Sequence, residues 1–256
     1  MTQRQRVLAG FTLIELMISL AIGATVTGAG LTLYLQMTKN RNLIQAELNL
    51  QSDSYFINQT LRQFFNQAGF RPLDNTALSA SMLPVKAPDQ SFEAVDGQWA
   101  TGEFVRVLDN GFAFRFEGSS DGNNVADGSL INCQGDAIAT GEVADVQFSI
   151  IDGGLFCSSA GVMVEMIGDD DAVNVEQFAI NWGVDTNNDS NVDEYRPSSV
   201  PLAANDVLMT VRLSLLLSSR DEVQTNTAGY TFNGTEYAST DSRLRRESVT
   251  TVLLKH

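Results

Sequence analysis

Within WGVDTNNDSNVDEY, oxygen-bearing side chains recur at alternate positions: Asp185, Asn187 and Asp189, followed by Asn191 and Asp193. Alternation of this kind begins a calcium loop. Oxygens at positions one, three and five converge on one hard cation, the seventh residue lends its backbone carbonyl and the ninth adds a ligand. Asn191 stands at position seven and Asp193 at position nine. Two departures weaken the pattern: Ser190 occupies the place of the turn glycine, and Arg196 that of the closing glutamate. The same letters also spell a plain acidic turn between strands, because Asn and Asp favour turns on their own account. Calcium is the candidate ion, and nothing else in the chain calls for a cofactor.

Other residues capable of chemistry are few. The sole histidine is His256, which rules out His-based triads and most zinc sites on supply alone. No GxxxxGK[ST] phosphate loop is present, so the chain carries no nucleotide-driven motor of its own. Cys133 and Cys157 are an even pair without CxxC spacing, readable as one disulfide or as two thiols. Asp169, Asp170 and Asp171 lack alternation and read as a solvated loop, and Arg243, Arg245 and Arg246 form the one basic cluster. The net charge is −15 over 256 residues, which argues against direct nucleic-acid binding, since phosphate contacts need clustered Lys and Arg. On these grounds the chain reads as a non-enzyme.

The elements that carry these residues begin with a membrane-length segment. From Phe11 to Met37 the only charged residue is Glu15, and at about 1.5 Å per residue this run reaches roughly 40 Å, enough to cross a bilayer core of about 30 Å. A carboxylate near the centre of a membrane helix costs about 2.5–3.5 kcal/mol, so Glu15 calls for a partner. A cleaved secretory signal is the plain alternative, but its apolar core spans about 7–15 residues and this one is longer. Arg4 and Arg6 before the run balance Lys39 and Arg41 after it, so loop charge leaves orientation undecided.

Beyond Met37 the apolar residues become periodic: Leu43, Ile44, Leu48, Ile57, Leu61, Phe64, Phe65 and Ala68 fall mostly three or four apart. This spacing predicts an amphipathic helix ending at Gly69 as its cap, with Pro72 beyond it. Phe11 to Ala68 would then be one helix of roughly 87 Å. Strands follow. FVRVLDNGFAFRFE predicts a hairpin around Asn110-Gly111, and VQFSII with LFCS predicts another across Asp152-Gly153-Gly154. VMVEM, EQFAINWGV, VLMTVRLSLLLSS and VTTVLLK are further strand candidates. The expected fold is α+β, a long N-terminal helix packed on an antiparallel β-sheet head. The expected segments are 1–10 leader, 11–37 transmembrane half, 38–69 amphipathic stalk and 70–256 head.

The basic leader MTQRQRVLAG, followed by Phe and then Thr-Leu-Ile-Glu-Leu, resembles the class III signal of type IV pilins and type II secretion pseudopilins. NQAGFRP, INCQG with LFC, NWGVDTNNDSNVDEY and DSRLRRESVTTVLL extend the resemblance to the PilW-type minor pilins. The resemblance implies that a prepilin peptidase cuts between Gly10 and Phe11 on the cytoplasmic side and methylates the new amine of Phe11. It also implies a partner for Glu15: the positive N-terminus of a neighbouring subunit, which would neutralise both charges in lipid. An exported head makes Cys133 and Cys157 one disulfide closing a loop of about 25 residues, worth roughly 3 kcal/mol in the chain-entropy model.

The function this implies is that of a type IV minor pilin. It would be stored in the inner membrane as a single-pass protein with its head in the periplasm, then co-assembled with other minor pilins and the major pilin to prime a surface filament at or near its tip. The alternatives are a J-type pseudopilin of a type II secretion system, or a membrane-anchored extracytoplasmic calcium-binding adhesin or enzyme.

Overall fold

No proline interrupts the 55 residues of helix α1 (Leu13–Gln67), whose apolar side chains run continuously through the first half and periodically through the second. The structure, a computed structural model, describes residues 12–72, 99, 103–121, 123, 125–168, 172–203 and 206–254. Residues 1–9, expected to be part of a leader, the expected cleavage pair Gly10 and Phe11, Asp169–Asp171 and His256 lie outside the described residues. The chain divides into two compact units, Met1–Gln45 and Ala46–His256. In the first, α1 exposes Leu13, Leu16, Ile18, Leu20, Val26 and Leu33, and it is long and apolar enough to cross a membrane.

In the second unit α1 buries Ala46, Leu50, Ser54, Ile57, Leu61, Phe64 and Phe65, three or four residues apart for the most part. Ile44 and Leu48, expected on the same stripe, are exposed instead. Their spacing fits a helix but places them on another face, a distinction periodicity loses when apolar residues lie on both sides. The helix ends as its sequence predicts, with Gly69 at φ 76°, where an L side chain would be strained.

Five strands follow as an antiparallel meander: β1 (Val105–Leu108), β2 (Gly111–Glu117), β3 (Val143–Ile151), β4 (Gly154–Ser159) and β5 (Val162–Ile167), in that spatial order. The β3–β4 and β4–β5 turns, Asp152-Gly153 and Ala160-Gly161, place both central residues at positive φ, the left-handed pattern that suits the strand twist. The β1–β2 turn differs from expectation. Leu108 pairs with Gly111, so the turn is Asp109-Asn110 and the glycine lies in β2. Gly111 is needed for close approach, since a Cβ there would lie 1.9 Å from the Phe148 carbonyl oxygen.

β2 is buried along its whole length because both faces are covered. On one face Phe112, Phe114 and Phe116 meet α1 and β3. Phe65 lies 4.3 Å from Phe114 edge-on, and Phe64 lies 5.3 Å from Phe148. On the other face Arg115 pairs with Asp145 at 2.9 Å beneath the Trp99 ring, and Arg71 pairs with Glu117 at 2.9 Å. The chain leaving α1 runs along β2 beyond the end of β1, with Gly69 N donating to Arg115 O and Glu117 N to Phe70 O.

The remaining strands are β6 (Val173–Asp185), β7 (Glu194–Pro197), β8 (Val207–Glu222), β9 (Tyr230–Phe232), β10 (Thr235–Tyr237) and β11 (Arg243–Leu253). Four of them make an antiparallel sheet ordered β11-β8-β6-β7, and β9 and β10 form a separate hairpin. Val173, Val175, Val211, Leu213 and Val252 from this sheet join the same core as α1 and the meander. The short strands β7, β9 and β10 are absent from the sequence expectations, being three or four residues with no apolar alternation. Cys133 and Cys157 form a disulfide, tying the loop after β2 to buried β4.

Candidate functional site

The residues singled out by sequence fall in three separate places. At the start of α1, Glu15 and Thr12 satisfy one another. Thr12 N donates to Glu15 Oε2 at 3.0 Å, the Thr12 hydroxyl donates to the same oxygen at 3.0 Å, and Glu15 N donates to Thr12 Oγ1 at 3.3 Å. This is a capping box: a threonine and a glutamate three residues on each accept a backbone N–H that the helix would leave orphaned. The TLIE spacing carries that signal in plain view, yet reading Glu15 only as a charge in search of a partner passes over it. The carboxylate sits in the first turn, where the helix dipole favours negative charge. Along the same helix Leu16, Ser19, Leu20, Gly23 and Ala24 line one shallow groove, where small side chains allow another helix to approach.

The second place is the turn from β6 to β7. Asp185, at 1% exposure, accepts from four backbone amides: those of Asn187 at 3.1 Å, Asn188 at 2.6 Å, Asp189 at 3.3 Å and Ser190 at 2.8 Å. Asn187 Oδ1 accepts from Asp189 N and Asp189 Oδ1 from Asn191 N, both at 2.9 Å. Asp193 accepts from the hydroxyl and amide of Thr186 at 2.7 and 2.8 Å, and these two bonds hold its carboxyl below the ordinary aspartate range. Asn188 and Ser190 lie at φ 61° and 67°, a conformation the anchored amides sustain. At position twelve Arg196 pairs with Glu194 and Asp206.

These oxygens accept the loop's own N–H groups, and those of Asn187 and Asp189 each keep a second lone pair. Among the described residues no group of three or more His, Cys, Asp or Glu side chains is placed to hold a metal ion. With four backbone amides on one carboxylate, Asp185 acts as the staple of the turn. Asp185→Ala should lower the unfolding free energy by about 2–3 kcal/mol, because four backbone amides lose a charged acceptor together. Denaturant unfolding of the full chain in detergent, with and without chelator, checks this. A midpoint raised by calcium in the wild type and not in the variant would show a bound cation instead.

The third place is the basic cluster. Arg245 is held inside the fold: Nε and Nη2 donate to Glu176 at 2.8 and 3.0 Å, Nη1 and Nη2 to Asp241 at 2.6 and 2.9 Å, and Nη1 to Ser239 at 2.9 Å. Its guanidinium also lies 4.9 Å from the Tyr230 ring centre. Glu176 reaches it from a β-bulge, where the β6–β8 register skips between Val175 and Gln177. No sequence signal joins these partners, which lie 69 residues apart.

A long helix bearing a membrane-length apolar half, joined to a head of antiparallel sheets, is the class of fold on view, and comparison with known proteins narrows it. Residues 8–31 match the prokaryotic N-terminal methylation motif, and residues 154–255 match the family described as type IV pilus-assembly protein W. By these matches the chain is similar over residues 154–255 to type IV pilus-assembly proteins and over residues 8–31 to proteins that carry the methylation motif. Among solved structures, a type IV-like pilin from Thermus thermophilus is similar at 15% identity, covering 80% of this chain and 95% of that chain with a TM-score of 0.45. No curated protein matches the sequence.

Proposed function

We propose that the chain is a minor pilin of a type IV pilus. A prepilin peptidase removes residues 1–10 by cutting between Gly10 and Phe11 and methylates the Phe11 amine. Residues 11–37 hold the subunit in the inner membrane, 38–69 form the stalk and 70–256 the head outside the cytoplasm. Other minor pilins and the major pilin then join it to prime a filament, with this subunit at or near the tip. The observation that carries the reading is the match of residues 8–31 to the methylation motif on a helix that exposes a carboxylate, Glu15, in its first turn.

Assembly chemistry follows from that position. A neighbouring subunit's N-terminal amine is cationic at pH 7, and pairing it with Glu15 removes most of the cost of holding either charge in lipid. The capping box orients the carboxylate for that encounter. On the stalk, exposed Leu48, Tyr55 and Phe56 offer an apolar surface to adjacent helices.

Intact mass and N-terminal sequencing of the protein from cells with and without the peptidase test the reading. The expected mature chain begins with N-methylated Phe11, and only where the peptidase is present. A chain uncut in both strains, or cut near Ala29 in both, would sink it.

A further inference from the structure

The five-stranded meander ends on β5, which pairs on one side only, with β4, among the described residues. Edge strands of natural sheets are commonly guarded by Lys, Arg or Pro, since open N–H and C=O groups invite another chain. Three of the four edges of the two larger sheets follow that rule: β1 carries Arg106, β7 carries Arg196 and Pro197, and β11 carries Arg243, Arg245 and Arg246. β5, with the sequence VMVEMI, carries none of them, and Val162 and Met163 are 52% and 53% exposed. Its ladder with β4 is regular from Val162 to Glu165, and the register shifts only beyond that point.

Along the sequence that forms this edge, charge is one-signed. Residues 116–195, which include all of β3, β4, β5 and β6, carry sixteen Asp and Glu and no Lys, Arg or His. Arginines from elsewhere pair with Glu117, Asp145, Glu176 and Glu194. Gln134, two residues before Asp136, donates to the Val162 carbonyl oxygen at 3.0 Å, which brings that acidic loop beside β5.

The geometry points to β5 as a docking edge for an extended segment of a partner protein that carries Lys or Arg, added antiparallel or parallel as a sixth strand. Main-chain hydrogen bonds to the open side of β5 supply the attachment, and side chains on the added strand alternate between two environments. Residues beside Val162 and Val164 meet the apolar inner row that continues to Cys157 and Phe148. Those beside Met163 and Glu165 lie on the outer row, where a basic side chain answers the acidic field. This surface is separate from the N-terminal helix chemistry and does not depend on the filament reading.

The test is selection of a random twelve-residue displayed peptide library on the full chain in detergent, with the Met163→Lys chain as the counter-target. Met163 is exposed, so the variant keeps its core, and an unchanged melting curve confirms that; Val162→Lys serves as a second variant of the same design. The expected result is enrichment of peptides alternating apolar with Lys or Arg. These should bind at least about tenfold more weakly to either variant, weaken as salt is raised, and slow hydrogen exchange at the β5 amides. No enrichment over the counter-target, enrichment of acidic peptides, or protection elsewhere would overturn the proposal. So would a concentration-dependent dimer of the full chain abolished by Met163→Lys, which would make a second copy the occupant.

Discussion

Phe65→Ala is expected to lower the unfolding free energy of the head by about 3–5 kcal/mol, the range for deleting a buried aromatic side chain. Phe65 is 1% exposed, its ring lies 4.3 Å from Phe114 and 6.2 Å from Phe112, and it belongs to the core that α1 shares with both larger sheets. Alanine would lose the transfer energy of the ring together with the edge-to-face contacts, and it would leave a cavity that β2 cannot close. β2 is held on its far side by the Arg115–Asp145 pair and by hydrogen bonds to Gly69 and Phe70. Phe65→Leu keeps much of the volume and should cost about half as much or less. Denaturant unfolding followed by the fluorescence of Trp99 and Trp182, both in the head, measures the difference. A loss below about 1 kcal/mol for alanine would mean that the end of α1 is not part of the head's core.

Arg245→Ala should cost about 3 kcal/mol, the low end of the 3–5 kcal/mol seen when a fully buried pair is broken, because its partners are partly exposed. Side-chain exposure is 10% for Arg245, 20% for Glu176 and 26% for Asp241. The substitution strands two carboxylates at once and removes the contact on Tyr230, which stacks in turn on Tyr237 at 5.4 Å. Arg245→Lys keeps the charge but cannot reproduce two forked contacts, so it should recover only part of the loss.

The same network fixes the direction of a pH effect. Hydrogen bonds from the Arg245 guanidinium hold the Asp241 carboxyl far below its ordinary range. A depressed folded pKa contributes stability that is fully present above the unfolded value of about 4 and is lost as pH falls through the folded value. The gap between wild type and Arg245→Ala should therefore be constant from neutral pH to about pH 5 and should narrow in acid. A gap that persists unchanged to pH 2 would assign the loss to packing on Tyr230 rather than to the ion pairs.

Much of this architecture was legible because its causes are local. The length and composition of the apolar run decide whether a helix can cross a bilayer, and Phe11–Met37 meets both conditions within one segment. Gly69 and Asp152-Gly153 mark a helix end and a hairpin because positive φ is a property of single residues. The Thr12–Glu15 box was equally local, and the spacing of two residues was enough to write it.

What the chain alone determined about this protein is thus its α+β order of elements, its membrane-length helix with a carboxylate in the first turn, and the Asp152-Gly153 turn of the meander. Only the tertiary structure decided that Ile44 and Leu48 are exposed, that Asp185 binds four amides of its own turn, that Arg245 closes on Glu176, and that β5 is an edge of the meander among the described residues. Each of these depends on which strands pair and in what register, and a one-residue slip would send every side chain to the opposite face. Turn and helix preferences act over a few residues, whereas partners 69 residues apart meet only once the sheets have closed on a shared core.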